Sequence, residues 1–419
     1  MNTTTPSPRI LFLDHAAVRG GAELYLLHLA RAFRSTSHVL LFDDGPFRAD
    51  LQAAEVDASV VNAPTAFLDV RKQGALLALL RAVPGVLALS GKVARRACAY
   101  DVLFANSQKA FLVACGAGLL ARRPVVWNLH DMLTERHFST WNRQLVVRLA
   151  NHVAAHVIAN SEATQQAFCN EGGRTDRVSV VYNGIDPAPF KAARHNPAPL
   201  RDDGRIPAGA PIIGVFSRLA PWKGQHVLIE ALPSVPRAHV VLVGDALFSG
   251  DQGYEARLDA QAEALGVANR VHRLGFRSDV PRLMAACDII AHTSVAPEPF
   301  GRVIVEGMLA ERPVVATCAG GAREIIEDGR TGHLVPPGDA VALASVLQDL
   351  IASSPDEKRP MIRRASRSAR DRFGPDVPVR GVTRVLQQIT HQSTRPTPLV
   401  MHNGKSSQSN EKSNLLSSG

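Results

Sequence analysis

Two α/β domains, each a parallel sheet with helices wound over both faces, are the fold this sequence predicts. Short β-branched and apolar runs alternate with helical patterns along the chain, which is the mark of parallel strands joined by crossover helices. At 419 residues, 46% of them hydrophobic, the chain is larger than one compact core supports. A stretch holding Pro187, Pro189, Pro197, Pro199, Gly204 and Pro207 parts the strands into two sets. Doubly wound domains bind ligands at the carboxyl ends of their strands, so a facing pair encloses a cleft.

In the first set the expected strands are Arg9 to Asp14, His38 to Phe42, Ser59 to Asn62, Asp101 to Asn106, Pro124 to Asn128, His156 to Asn160 and Ser179 to Tyr182. The second set comprises Pro211 to Phe216, His239 to Gly244, Val271 to Gly275, Asp288 to His292 and Pro313 to Thr317. Helices fit between them: Leu26, Leu29, Ala30 and Phe33 keep the spacing of one buried face, as do Leu343, Val346, Leu347 and Leu350. The expected partition is a flexible N-terminus, 1–8, a first domain, 9–186, a linker, 187–210, a second domain, 211–375, a closing helix, 376–391, and a tail, 392–419. The tail is rich in Ser, Asn and Lys without apolar periodicity, so it is expected to be disordered.

Five cysteines, at 98, 115, 169, 287 and 318, form no C-x-x-C pair and are odd in number, which suggests reduced thiols in a cytoplasmic protein. No secretory signal is visible at the N-terminus. The most apolar stretch, Ala75 to Ser90, is broken by Arg81 and Pro84-Gly85 and is too short to span a bilayer. A net charge of +9 suggests anionic partners. Nucleic acid is the weakest of these, since aromatic residues make up 5% of the chain and no recognition motif is present. Peripheral contact with anionic membrane is a further expectation. The segment Ala75 to Ala97 carries Leu76, Leu77, Leu79, Leu80, Val86, Leu87 and Leu89 and ends in Lys92, Arg95 and Arg96, while Lys358 to Arg372 adds a second cationic run. Either stretch also reads as an ordinary helix. No metal is implied, because Asp43-Asp44 and Asp202-Asp203 are adjacent pairs better read as turn formers.

The segment from Pro297 to Glu306 carries the most chemistry. Seven residues separate Glu298 from Glu306, Pro299 and Gly301 favour a turn, and a helix is expected from Arg302. The free N–H groups of Phe300, Gly301, Arg302 and Val303 would then point between two carboxylates. Phosphate suits the amides and the positive end of the helix, and ring hydroxyls suit the carboxylates, so the array fits a nucleotide sugar. Taken alone, the two Glu also read as a loop residue and a solvated helix residue. Arg218 and Lys223 can project from one loop directly after the apolar strand Ile212 to Phe216, which taken alone also reads as an exposed basic loop. Gly20-Gly21 follows the first strand, either to let backbone approach a ligand or simply to make a tight turn.

The run from Glu298 through Gly320-Gly321-Ala322-Arg323-Glu324-Ile325-Ile326 to Thr331-Gly332-His333-Leu334-Val335-Pro336-Pro337-Gly338-Asp339 resembles family 4 of the retaining glycosyltransferases, which carries a paired-Glu signature. With the other matches, the resemblance covers about residues 9 to 390. It implies the GT-B fold, two Rossmann-like domains facing across a cleft, with the last helix crossing back onto the first. It also implies roles. Arg218 and Lys223 would hold the donor diphosphate, Glu306 the ribose diol, Glu298 the sugar hydroxyls, and His130, with Asp131 beside it, a hydroxyl of the transferred sugar. Gly20 and Gly21 match the glycine loop near donor phosphate and acceptor, although Arg19 departs from the Lys of starch and glycogen synthases. Phe276 and Arg277 fall in the base-contacting loop, and Gly244 stands where ribose would pass; core packing of Phe276 and a plain turn at Gly244 are the alternatives. The implied reaction is transfer of a hexosyl unit from a nucleotide-diphosphate sugar to a hydroxyl on a sugar, glycolipid or polysaccharide, by front-face substitution and without metal or other cofactor. The other readings are a nucleotide-sugar epimerase of the same architecture and a non-catalytic binding subunit.

Overall fold

The computed structural model describes residues 8–15, 19–68, 76–135, 138–202, 204–246 and 253–393. The expectations for the N-terminus and for most of the tail lie outside them. Seven strands build the first sheet: β1 (Ile10–Asp14), β2 (Ser37–Leu41), β3 (Ala58–Val60), β4 (Val102–Ala105), β5 (Val125–Leu129), β6 (Ala154–Ala159) and β7 (Val178–Val180). Six build the second: β8 (Ile212–Phe216), β9 (His239–Val243), β10 (Val271–Gly275), β11 (Ile289–His292), β12 (Val314–Thr317) and β13 (His333–Val335). Every pairing is parallel, in the orders β3-β2-β1-β4-β5-β6-β7 and β10-β9-β8-β11-β12-β13. The central strands β1, β4, β5, β8, β9, β11 and β12 are buried at every position, which explains why they read as largely apolar runs.

In both sheets the order in which strands are added therefore reverses at one point. The first does so between β1 and β4, the second between β8 and β11, and a doubly wound sheet opens its ligand crevice at that place.

Two details differ from the sequence expectations, and two more refine them. Strand β13 was not foreseen, because its three residues sit between Gly332 and Pro336 and are too few to show a period. The helix Leu76–Ala97 runs through Pro84 instead of breaking there. Its residues 76–80, which include four of the leucines expected to meet a membrane, have side chains outside the described set. The proline-rich stretch 187–210 is packed, with Phe190, Ala198, Ile206 and Ala210 buried in a core that also holds Ile212 and Leu283 of the second domain. The second cationic stretch forms the helix Pro355–Phe373, whose Met361, Ala365, Ala369 and Phe373 are buried.

The final helix, Asp376–Ser393, returns to the first domain. Val382, Val385, Leu386 and Ile389 are buried in one cluster with Ile10 and Phe12 of β1. The two places where the chain passes between domains lie against each other, since Ile185 N–H donates to the Phe373 carbonyl at 2.9 Å and Gly184 fits beside Pro378.

Candidate functional site

The loop after β8 leads into a 3-10 turn, Pro221–Lys223, and then Gly224. Gly224 has φ +70°, and a Cβ there would run into the Thr293 carbonyl just beyond β11. Glycine is thus demanded by the backbone contact as well as by the dihedral. Val295 N–H donates to the Trp222 carbonyl at 2.9 Å and the Thr293 hydroxyl to the Lys223 carbonyl at 3.1 Å, so the two loops are fastened together. The second loop is braced from its far side. Gly321 N–H donates to the Glu298 carbonyl at 2.9 Å, and Gly320, at φ +60°, lies flat against the Glu298 backbone where any side chain would collide.

These contacts set Lys223 on Glu298. The ammonium donates to Oε2 at 2.7 Å, and His292 Nε2 and Ser294 Oγ each lie 3.2 Å from the same oxygen. Burial alone would raise the Glu298 carboxyl, but the Lys223 charge, helped by His292, holds it well below the usual carboxylate range. Three polar partners crowd Oε2, while Oε1 has none among the described residues and remains available to a hydroxyl. Trp222 presents its ring to both cations, with Lys223 Nζ 4.1 Å and the Arg218 guanidinium 5.4 Å from the centroid.

Gly301, at φ +105°, opens the helix Arg302–Leu309, whose first N–H groups have no intrahelical acceptor. Glu306 lies one turn on and meets Arg302 at 3.3 Å. Phe300 contributes only backbone here, since its ring is buried near Phe373 and Tyr182.

Across the cleft, β1, β4 and β5 present a polar network at their carboxyl ends. Asn106 Nδ2 donates to the fully buried Asp14 at 2.6 Å, and Asn106 Oδ1 and Asn128 Nδ2 lie 3.0 and 2.7 Å from His130 Nε2. The imidazole also meets the buried Tyr25 ring edge-on. Glu23 folds back over Gly20, and burial, with the Asp14 carboxylate behind it, pushes its carboxyl up to about 8. Asp131 faces the same space, and Arg19 turns outward into a bidentate pair with Asp50.

The two sides meet. A Cβ on Gly21 would stand 3.2 Å from Arg302 Cδ, so the Gly20-Gly21 turn and the start of the Arg302–Leu309 helix face each other directly. Two further contacts join the domains nearby. Ser161 Oγ donates to the Pro299 carbonyl, and the Glu324 carboxylate accepts from the N–H groups of Glu162 and Ala163 at 2.8 Å each, at the start of the helix Glu162–Asn170.

Lys223, Glu298, Arg218, Gly21 and Arg302 are thus gathered at the two switch points, and His130 at the end of β5. Of the other expected residues, one lies beside Arg218 and two stand further out. Gly244 ends β9 and lies against the Ser217 carbonyl, a contact only glycine permits. Phe276, beyond β10, is 55% exposed, so its ring is available for stacking and is not a core residue. Arg277 spends its guanidinium on Asp279, at 2.8 and 2.7 Å. The sequence alone does not single out His292, Ser294, Trp222 or Ser161, and it gives Glu324 no role. The aromatic between two cations in Arg218 to Lys223 was the one visible signal among them.

Two family models match the chain: "Glycosyl transferases group 1" over residues 198–369 and "Glycosyltransferase Family 4" over residues 19–189. The crystal structure of Anabaena HepE in complex with UDP and glucose is similar at 41% identity and a TM-score of 0.79, covering 92% of this chain and 99% of that one. The same protein with UDP-glucose gives 42% identity, a TM-score of 0.77 and the same coverage. A D-inositol 3-phosphate glycosyltransferase of Xylanimonas cellulosilytica is 28% identical over 400 residues, which are 88% of this chain and 92% of the relative.

Proposed function

The chain belongs to the GT4-type glycosyltransferases of GT-B architecture, and from that premise we propose that it transfers a hexosyl unit, with retention, from a uridine diphosphate sugar to a hydroxyl acceptor. The Lys223–Glu298 pair at the β8/β11 switch point carries the reading. It sets a cation for the diphosphate beside a carboxylate with one oxygen open to a sugar hydroxyl. Uridine as the base is supported by the Anabaena structures holding UDP and UDP-glucose.

Arg218, Lys223 and the amides of Gly301 to Val303 stabilise charge as it builds on the leaving phosphate. Glu306 takes the ribose, and Glu298 and His130 fix hydroxyls of the sugar. In front-face substitution the acceptor oxygen bonds to the anomeric carbon on the side from which the phosphate leaves, and that phosphate takes the acceptor's proton. No carboxylate nucleophile is required. The fixed cations make the reaction metal-independent.

Calorimetry with UDP, ADP and GDP in EDTA, followed by UDP release from UDP-glucose under the same conditions, tests this reading. UDP is expected to bind most tightly and the donor to turn over without added metal. Tighter binding of another base would overturn the uridine assignment, and activity restored only by Mg²⁺ or Mn²⁺ would overturn the metal-free one.

The acceptor belongs to cell-surface polysaccharide or glycolipid synthesis on this reading, with the enzyme seated at times on the cytoplasmic face of the membrane. No helix among the described residues is long and apolar enough to cross a bilayer. Support for peripheral contact comes from Lys92, Arg95 and Arg96, all exposed at the end of the Leu76–Ala97 helix. Co-sedimentation with anionic vesicles should rise with anionic lipid, fall with salt, and weaken when Arg95 and Arg96 become Glu. Wild-type protein left in the supernatant at low salt would remove the membrane from the reading.

A further inference from the structure

A groove of about 740 Å³ opens beside His130, Glu23 and Asp131 and runs away from the second domain between the helices Leu76–Ala97, Gln108–Ala121 and Thr140–Val153. Its walls are apolar along most of their length, formed by Val83, Leu87, Leu112, Leu119, Trp141 and Leu145. Leu87, Leu119 and Trp141 are 64%, 66% and 61% exposed, an unusual gathering of large apolar side chains at one surface. Singly exposed leucines need no explanation, but a continuous lining does.

Two polar groups in the lining are already engaged. Ser90 Oγ donates to the Val113 carbonyl at 3.0 Å, and Gln108 Nε2 donates to Asn142 Oδ1. The middle of the groove thus offers a ligand little but hydrocarbon contact, while its inner end offers hydroxyl-binding groups. Lys109 and Arg148 add two cations to the lining.

Resting on the transferase reading above, we infer that this groove holds the hydrocarbon chain of an amphiphilic acceptor whose sugar hydroxyl reaches the cleft between His130 and Glu23. The continuity decides the occupant. Whatever fills the apolar part ends at the reacting hydroxyl, so chain and sugar belong to one molecule. A free polysaccharide would leave the apolar walls wet.

The test uses the full chain saturated with UDP and titrated calorimetrically with methyl, octyl and dodecyl β-glucoside, each below its micelle concentration. One molecule of the dodecyl compound should bind per chain, with affinity rising by up to about fourfold per methylene and at least about a hundredfold over the methyl compound. Leu87→Glu and Leu119→Glu should each lower dodecyl affinity about tenfold or more. Leu265→Glu, exposed on the second domain, should leave it unchanged and so controls for general detergent binding. Equal affinities along the series, or dodecyl binding that survives both groove substitutions, would overturn the inference. The UDP titration separates the two levels: without UDP binding the transferase reading fails, whereas UDP binding with no gain from chain length sinks the groove alone.

Discussion

Lys223→Ala is expected to lower turnover of UDP-glucose by about a hundredfold or more, the scale of removing one preorganised charge contact from a developing anion. Arg218→Ala should act in the same direction, because both cations leave one short loop and share the Trp222 ring. The geometry makes the lysine effect larger. Lys223 is held by two fastened loops and points at Glu298 from 2.7 Å, so its position is set before any ligand arrives. Steady-state UDP release should show the loss mainly in kcat, since the charge on the bridging oxygen grows in the transition state. Near-normal kcat in both variants would take these cations out of the mechanism. A confounding loss of fold is separable: alanine at 223 strands the Glu298 carboxylate among His292 and Ser294, so the melting temperature must be read beside the rate.

Glu298→Gln and Glu306→Gln should part company when UDP and UDP-glucose are compared by calorimetry. If Glu306 holds the ribose, its variant weakens both ligands alike, whereas Glu298→Gln costs UDP-glucose roughly ten- to a hundredfold through a lost charged contact to a hydroxyl. Free UDP should bind the Glu298 variant undiminished, because the substitution frees the Lys223 ammonium from its carboxylate and leaves it to the diphosphate. Equal losses for both ligands in both variants would show that the roles are not divided this way. Acid titration does not replace the experiment. A folded-state carboxyl held far below its unfolded value contributes stability that is fully present above about pH 4.3 and is lost only as the pH falls through that depressed value, where other carboxylates also protonate.

Local pattern carries the parts of this molecule that local pattern determines. Central strands such as Ile212–Phe216 are apolar at every position because both faces are covered, and that is visible without a partner strand. The Arg302 helix start and its Gly301 turn were legible for the same reason. What could not be read depends on pairs far apart in the chain. His292 resembles any polar residue at a strand end until the fold brings Glu298 within 3.2 Å of it. Ser161 and Glu324 join the domains across 138 and 162 residues of separation, and no spacing rule reaches that far. The packing of 187–210 was hidden for a different reason, since proline marks irregular backbone and says nothing of whether Phe190 and Ile206 find a core.

The return of the Asp376–Ser393 helix to the first domain bears on how such a protein can be recombined. Exchanging donor-binding halves between relatives invites a single junction in the linker, but that cut would carry Val382, Val385, Leu386 and Ile389 away from the β1 surface they complete. The graft would arrive with a foreign helix on a native sheet. Two junctions are needed, one near Ile185 and one just beyond Phe373, and the hydrogen bond between those residues shows that both seams fall at one spot in space. A second domain inserted there is a guest within the first, and on the proposed reading specificity for sugar and specificity for acceptor become separable by cutting at that one spot.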